Sequence, residues 1–262
     1  MAKKSRRNRN LHAVRTSANI VHPDFDDRPF ENSRHSEKRQ DWHPLDDEID
    51  RNRDKKYVKN VRPRTEGQTR LMEAIDKHNL TLAIGPAGTG KTYLAIAKAA
   101  EALAAGKVER ILLSRPAMEA GESLGYLPGD LHEKMAPYLR PLYDALGDRM
   151  GGKRVRQYIE EGTIEIAPVG FMRGRTLNNS FVVIDEAQNC TYAQLKMLLS
   201  RLGWHSTMVV TGDPDQSDLL EGISGLKETA NRLDPLPNIA VVRLEQADIV
   251  RHPLVAEMLT VL

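Results

Sequence analysis

Eight consecutive residues, Gly85-Pro86-Ala87-Gly88-Thr89-Gly90-Lys91-Thr92, carry the most specific chemistry in this 262-residue sequence. They fit G-x-x-x-x-G-K-[ST], which arises by chance roughly once in a hundred chains of this composition. Glycines let the backbone curl closely around phosphate oxygens and turn N–H groups toward them at a helix N-terminus. The Lys91 ammonium would reach the β- and γ-phosphates of a nucleotide, and the Thr92 hydroxyl would bind Mg²⁺. A glycine-rich turn with no ligand is the competing reading. Against it stand an apolar run ending at Ile84 and a helix former after Lys91, the strand–loop–helix frame that phosphate binding requires.

Two further apolar runs end in polar groups of matching chemistry. Phe181-Val182-Val183-Ile184 delivers Asp185 and Glu186, and open α/β sheets place their ligands at that end of the strands. Asp185 suits a hard Mg²⁺ ion, held through water. Glu186 suits polarisation of an attacking water, a task that a phosphotransferase with a bound acceptor does not require in this form. The bland alternative is a pair of acids capping the next helix. The third run, Met208-Val209-Val210-Thr211, leads into Gly212-Asp213-Pro214-Asp215-Gln216. Gly-Asp-Pro alone is ordinary turn chemistry; third in the series, it offers Gln216 as a contact for both a γ-phosphate and the lytic water.

These groups need a scaffold, and the patterning predicts one. Leu71, Met72 and Ile75 mark a short amphipathic helix before a strand at Leu80–Ile84. A helix from Lys91 to about Ala105 and a strand at Ile111–Ser114 follow. Glycine and proline punctuate residues 116–152, which predicts loops and short helices. Strand signals return at Thr163–Ala167, Phe181–Asp185, Thr207–Thr211 and Ile239–Leu244. A helix at Thr191–Leu202 opens with Thr191 and Gln194 at capping-box spacing and stops at Gly203. Short apolar strands alternating with helices predict an α/β P-loop NTPase fold, a mostly parallel sheet with helices on both faces.

The charge divides the chain. Residues 1–64 hold 17 Lys/Arg against 11 Asp/Glu, and the remainder holds 21 against 25. Apolar residues are single and aperiodic in the first segment, so we expect a basic, disordered arm over 1–63 and a folded core over 64–262. Lys3, Lys4, Arg6, Arg7, Arg9 and Arg15 all precede the first acid, Asp24, and suit either phosphate neutralisation or simple solvation. One cysteine, Cys190, excludes an intramolecular disulfide framework and a Cys-based zinc cluster. Beside a helix start its pKa could be lowered, though a small packed thiol is the simpler reading. The scattered histidines form no metal constellation. No apolar run approaches the ~18 residues of a membrane helix, and no signal-peptide segment follows the basic N-terminus. The expected location is the cytoplasm, without a membrane partner.

The series GPAGTGKT (85–92), VVIDEAQN (182–189) and VVTGDPDQ (209–216) resembles the first RecA-like core of superfamily 1 helicases. RPAMEAGESLGYLPGD (115–130), GFMRGRTL (170–177) and DIVRHPLV (248–255) narrow the resemblance to the PhoH-like family of phosphate-starvation-associated ATPases, from about Arg64 onward. That resemblance implies Mg²⁺-dependent ATP hydrolysis, with RNA or single-stranded DNA as the substrate to be moved or unwound. Thr65-Glu66-Gly67-Gln68 resembles the glutamine motif by which helicase-like cores hold adenine, so Gln68 is the expected base reader; a surface Gln opening a helix is the alternative. Only 18 residues follow the last strand signal, too few for a second core that would supply an arginine. We therefore expect that arginine from Arg173, Arg175 or Arg251, with Arg251 favoured, donated across a ring-like homo-oligomer such as a hexamer. Arg115, Tyr126 and Tyr138 are candidate contacts for a single strand, although such tyrosines are also common core residues.

Two other classes remain open at this stage. A P-loop phosphotransferase would share Lys91, Thr92 and Asp185, but would show an arginine-rich lid and no water-activating Glu. A nucleotide-gated interaction protein would bind ATP without any nucleic-acid substrate.

Overall fold

The four inner strands of the sheet are largely apolar runs of five or six residues whose alternate side chains enter two different cores. The strands are β1 (Leu80–Ile84), β2 (Arg110–Arg115), β3 (Ile164–Pro168), β4 (Ser180–Ile184), β5 (Thr207–Gly212) and β6 (Ile239–Arg243). Ala83, Ile111, Leu113, Phe181, Val183 and Val209 face one core, whereas Leu82, Ile84, Leu112, Val182, Ile184 and Val210 face the other. A strand buried on both faces loses the polar half of its alternation, which is why these runs are largely apolar. The computed structural model describes residues 61–116, 131–220, 222–250 and 253–258.

The first core is covered by α1 (Glu66–Lys77), α2 (Lys91–Ala104), α3 (Leu131–Met150) and α4 (Gly152–Glu160). They contribute Leu71, Ile75, Leu94, Ile96, Leu142 and Val155, among others. The second core is covered by α5 (Tyr192–Leu199) and α6 (Leu226–Leu233) through Leu195, Leu198, Leu226 and Ala230. A short α7 spans Pro253–Met258. Each fully buried Leu or Ile contributes roughly 2 kcal/mol relative to exposure, so helices on both faces are what make this sheet stable.

The strand order is β3-β2-β4-β5-β1-β6, and every pairing is parallel. The expected mostly parallel sheet is thus wholly parallel among the described residues. The pairs β2–β4, β5–β1 and β1–β6 join strands that are not consecutive in sequence, and these crossovers bring the C-terminal ends of β2, β4, β5 and β1 side by side. The register aligns Ser114 with Ile184, Ile184 with Val210, and Ile84 with Gly212. The phosphate loop, the Asp185–Glu186 pair and the Gly212–Gln216 turn therefore emerge together at the C-terminal ends of β1, β4 and β5.

Two expectations need correction. Residues 131–150 form one 20-residue helix, α3, where glycine and proline punctuation predicts loops and short helices. Pro137 and Pro141 lie inside it; each removes one backbone donor, and that local cost is outweighed by burial of Leu139, Leu142 and Leu146 at helical spacing. The helix expected over Thr191–Leu202 is α5, ending at Leu199. Its start is as the spacing predicts, with Thr191 and Gln194 forming a reciprocal capping box.

Candidate nucleotide site

The loop from Gly85 to Gly90 is shaped by what surrounds it. Gly85 has φ 149°, and a side chain there would run into the Leu244 carbonyl at the end of β6. Gly90 adopts a left-handed conformation and begins α2, a position where a Cβ is costly. The Thr89 hydroxyl donates to the Pro86 carbonyl (2.9 Å). The Lys91 ammonium, buried beneath the loop, donates to the Gly85 (2.6 Å) and Pro86 (2.8 Å) carbonyls. Burial draws its pKa below the ordinary lysine value, against the opposing pull of Asp213, Glu186 and Asp185.

Asp185 continues from β4, its backbone N–H donating to the Ser114 carbonyl on β2 (2.8 Å). Its Oδ1 accepts from the hydroxyls of Thr92 (2.6 Å) and Thr211 (2.8 Å). Its Oδ2 faces the Arg115 guanidinium at 3.6 Å. A hydroxyl and a carboxylate within hydrogen-bond distance, both hard oxygen donors, fit an Mg²⁺ ion that keeps most of its water and shares phosphate oxygens. Among the described residues no group of three or more His, Cys, Asp or Glu is placed to hold a metal ion.

Glu186 occupies a left-handed conformation, φ 52°, unusual for a residue with a Cβ. Both carboxylate oxygens have partners: Oε1 accepts from Arg115 (3.3 Å) and Oε2 from the Gln188 amide (2.6 Å). The Gln188 carbonyl oxygen Oε1 in turn accepts from the Asp213 backbone N–H (3.0 Å). Buried Gln188 thus ties the acid pair to the turn after β5. Gln216 lies on that turn, exposed, and with Lys91, Thr92, Asp185 and Glu186 it lines a cavity of about 290 Å³. One cavity therefore gathers Ala87, Gly88, Gly90, Lys91, Thr92, Asp185, Glu186 and Gln216 from the three motifs.

A second cavity, of about 370 Å³, shares Gly88, Gly90 and Tyr93 with the first and is walled by Arg64, Gln68 and Arg149. Gln68 is buried rather than a surface residue: its side chain accepts from the Arg64 N–H (2.8 Å) and donates to the Thr89 carbonyl (3.1 Å). These bonds spend one donor and one acceptor of the amide on backbone and clamp the glutamine motif to the phosphate loop. Tyr93 carries the Arg149 guanidinium over its ring, 5.6 Å from the centroid, and accepts a hydrogen bond from it (3.0 Å).

Sequence reasoning missed the residue that anchors this side. Asp248, buried, accepts from the Gly67 (3.1 Å) and Glu245 (3.0 Å) N–H groups. Thr65, followed by Glu245 and Gly67, holds its carboxyl below the usual carboxylate value. A side chain at Gly67 would collide with that carboxylate. Two residues on, the Val250 N–H donates to the Gly88 carbonyl (3.0 Å). The stretch beginning at Asp248 was part of the resemblance, but the pairing with Gly67 spans 181 residues and leaves no local signal. Thr211 and Gln188, which stand inside two of the motifs without an assigned role, and Tyr93, next to Thr92, were missed as well.

Other expected residues fall elsewhere. Arg115, expected to face a single strand, turns inward onto Asp185 and Glu186. Arg175 is engaged by Glu165 on the edge strand β3 through two bonds of 2.5 and 2.7 Å, which lower the Glu165 pKa and raise that of Arg175. Arg173 is exposed after the short turn that follows β3. Arg251, Tyr126 and the arm 1–60 lie outside the described residues, as does the side chain of Tyr138. Cys190 is a packed thiol, its pKa pushed up to about 12 by burial. No helix among the described residues is long and apolar enough to cross a membrane.

A wholly parallel sheet with helices on both faces, a glycine loop between β1 and α2, and acids at the end of β4 define a P-loop NTPase of RecA-like architecture. The profile of the PhoH-like protein family matches residues 60–262, and the chain belongs to that family. It is 53% identical over 202 residues to a PhoH-like protein of Bacillus subtilis (strain 168), covering 77% of this chain and 63% of that one. It is 45% identical over 205 residues to Protein PhoH of Escherichia coli (strain K12), covering 77% and 58%. The chain thus spans about three-fifths of the length of these relatives. A solved large terminase from a thermophilic bacteriophage aligns over 76% of this chain and 50% of its own, at 11% identity and a TM-score of 0.48.

Proposed function

We propose that this chain is an Mg²⁺-dependent ATPase whose hydrolysis is coupled to binding, and to movement or unwinding, of RNA or single-stranded DNA. One observation carries the ATPase reading: the Thr92 hydroxyl and Asp185 carboxylate are hydrogen-bonded in a cavity that Lys91, Glu186 and Gln216 also line. When bound there through Thr92 and Asp185, Mg²⁺ would polarise phosphate oxygens and offset their charge.

Lys91 would exchange the Gly85 and Pro86 carbonyls for β- and γ-phosphate oxygens, while loop N–H groups cradle the same phosphates. Glu186 would accept the proton of a water whose oxygen attacks the γ-phosphorus. As that bond forms, the bond to the β–γ bridging oxygen breaks, leaving ADP and inorganic phosphate. Gln216 would orient the water, and Gln188 would hold Glu186 in register with the third motif. Gln68 would read the base from the second cavity. Arg251, donated across a homo-oligomer such as a hexamer, would complete the transition-state charge, with exposed Arg173 as the alternative; Arg175 is paired with Glu165. The basic arm, residues 1–63, would add polynucleotide affinity.

The test is ATP turnover with and without RNA and single-stranded DNA, alongside binding to each at two salt concentrations. The proposal expects stimulation by at least one polymer and an affinity that falls steeply with salt. ATP turnover indifferent to both polymers, with no salt-dependent binding, would reduce the protein to an ATP-gated interaction module. Deleting residues 1–63 should leave turnover intact and weaken polymer binding. Sedimentation of a monomer with full activity would sink the ring.

A further inference from the structure

Asp185 and Glu186 are adjacent carboxylates, and the Asp185 side chain is only 4% exposed. Such a pair requires a nearby positive charge. The nearby Lys91 ammonium is hydrogen-bonded to the Gly85 and Pro86 carbonyls rather than to either acid. Arg115, at the C-terminal end of β2, fills the role. Its Nη1 lies 3.6 Å from Asp185 Oδ2 and its Nη2 lies 3.3 Å from Glu186 Oε1, so one guanidinium spans both acids.

The two oxygens of Asp185 are used differently. Oδ1 is saturated by the Thr92 and Thr211 hydroxyls; Oδ2 is the one that Arg115 faces. A cation arriving between Thr92 and Asp185 thus meets a carboxylate already shared with a guanidinium. The position is fixed by the fold: β2 lies beside β4, and the Asp185 N–H is bonded to Ser114, the residue before Arg115.

We propose that Arg115 is the counter-cation of the acid pair, a positioning residue that competes with Mg²⁺ for Asp185 and so sets the Mg²⁺ concentration that nucleotide binding needs. This rests on the nucleotide-site reading above. A guanidinium can bridge two carboxylates as a planar fork, whereas a lysine ammonium is a point charge on a flexible stem. Arg115→Lys should therefore lose part of the competition, and Arg115→Gln nearly all of it.

The experiment is an Mg²⁺ titration of binding of a fluorescent, non-hydrolysable ATP analogue to the full chain, its R115Q variant and its R115K variant. Thermal unfolding of each protein is followed with and without Mg²⁺–nucleotide. R115Q should half-saturate at roughly fivefold lower Mg²⁺ and R115K at roughly twofold lower, as expected for a partly screened charge contact. Without metal or nucleotide, R115Q should unfold at a lower temperature than the parent and recover more of that loss when both are added. If R115Q does not fold, R115K carries the test. With nucleotide binding intact, an unchanged or higher Mg²⁺ requirement in the variant that folds would overturn the inference alone. Failure of the parent chain to bind nucleotide at any Mg²⁺ concentration would overturn the site reading and this inference together.

Discussion

The two cavities that meet at Gly88, Gly90 and Tyr93 are built in opposite ways. The phosphate-side cavity is a meeting of three short motifs, each contiguous in sequence and each leaving the C-terminal end of a strand. Its cations each sit within a few ångströms of oxygen acceptors: Lys91 on loop carbonyls, Arg115 on the Asp185 and Glu186 carboxylates. The base-side cavity rests on pairings between distant segments. Asp248 holds the start of α1, Gln68 clamps Thr89, and Val250 pins Gly88. The first arrangement concentrates chemistry; the second fixes where that chemistry sits. Substitutions should separate the two accordingly, by abolishing binding or turnover on the phosphate side and by loosening affinity on the other.

The largest effect is expected for Lys91→Ala, which removes the cation beneath the phosphate loop. Nucleotide binding measured by calorimetry should weaken by about 100-fold or more. Near-normal affinity would break the assignment of that cavity to phosphates.

Asp248→Asn should be smaller and different in kind. Losing charge-assisted bonds to Gly67 and Glu245, roughly 1.5 kcal/mol each, should raise the KM for ATP by about tenfold with kcat within about twofold. A parallel fall in kcat would blur the distinction between the two cavities. The same carboxylate has a pH consequence. Its folded pKa lies below the ordinary 3.8, so its contribution to stability is fully present above that value and is lost as pH falls through the lower folded value. Acid unfolding of Asp248→Asn should accordingly show a shallower loss of stability below about pH 4.

The smallest effect is expected away from both cavities. Glu165→Gln breaks the pair with Arg175, whose partners are each about a third exposed. Solvent screening limits the loss to under about 1 kcal/mol, a shift of Tm by a few degrees, and ATP turnover should not change. A marked fall in turnover would instead implicate Arg175 in the reaction.

The same contrast governs what the sequence could convey. The phosphate-side residues were legible because each motif is local: glycines that a tight loop needs, and acids placed at the end of an apolar strand. The sheet was legible for a similar reason, since strands buried on both faces read as unbroken apolar runs. Pro137 and Pro141 hid α3, because local punctuation outweighed the Leu139, Leu142 and Leu146 spacing that tertiary packing rewards. Asp248 was hidden because its partner lies 181 residues away. Arg115 was legible as a cation but not in its direction. Only the placement of β2 beside β4 turns it onto the acids.

The most direct test of the central claim compares phosphate release from Mg²⁺–ATP by the full chain and by Glu186→Gln, with nucleotide binding measured in both. The account predicts that the parent chain releases phosphate and that Glu186→Gln binds nucleotide with similar affinity but hydrolyses it roughly 100-fold or more slowly. Hydrolysis by Glu186→Gln at the parental rate, or no hydrolysis by the parent under any condition, would contradict it.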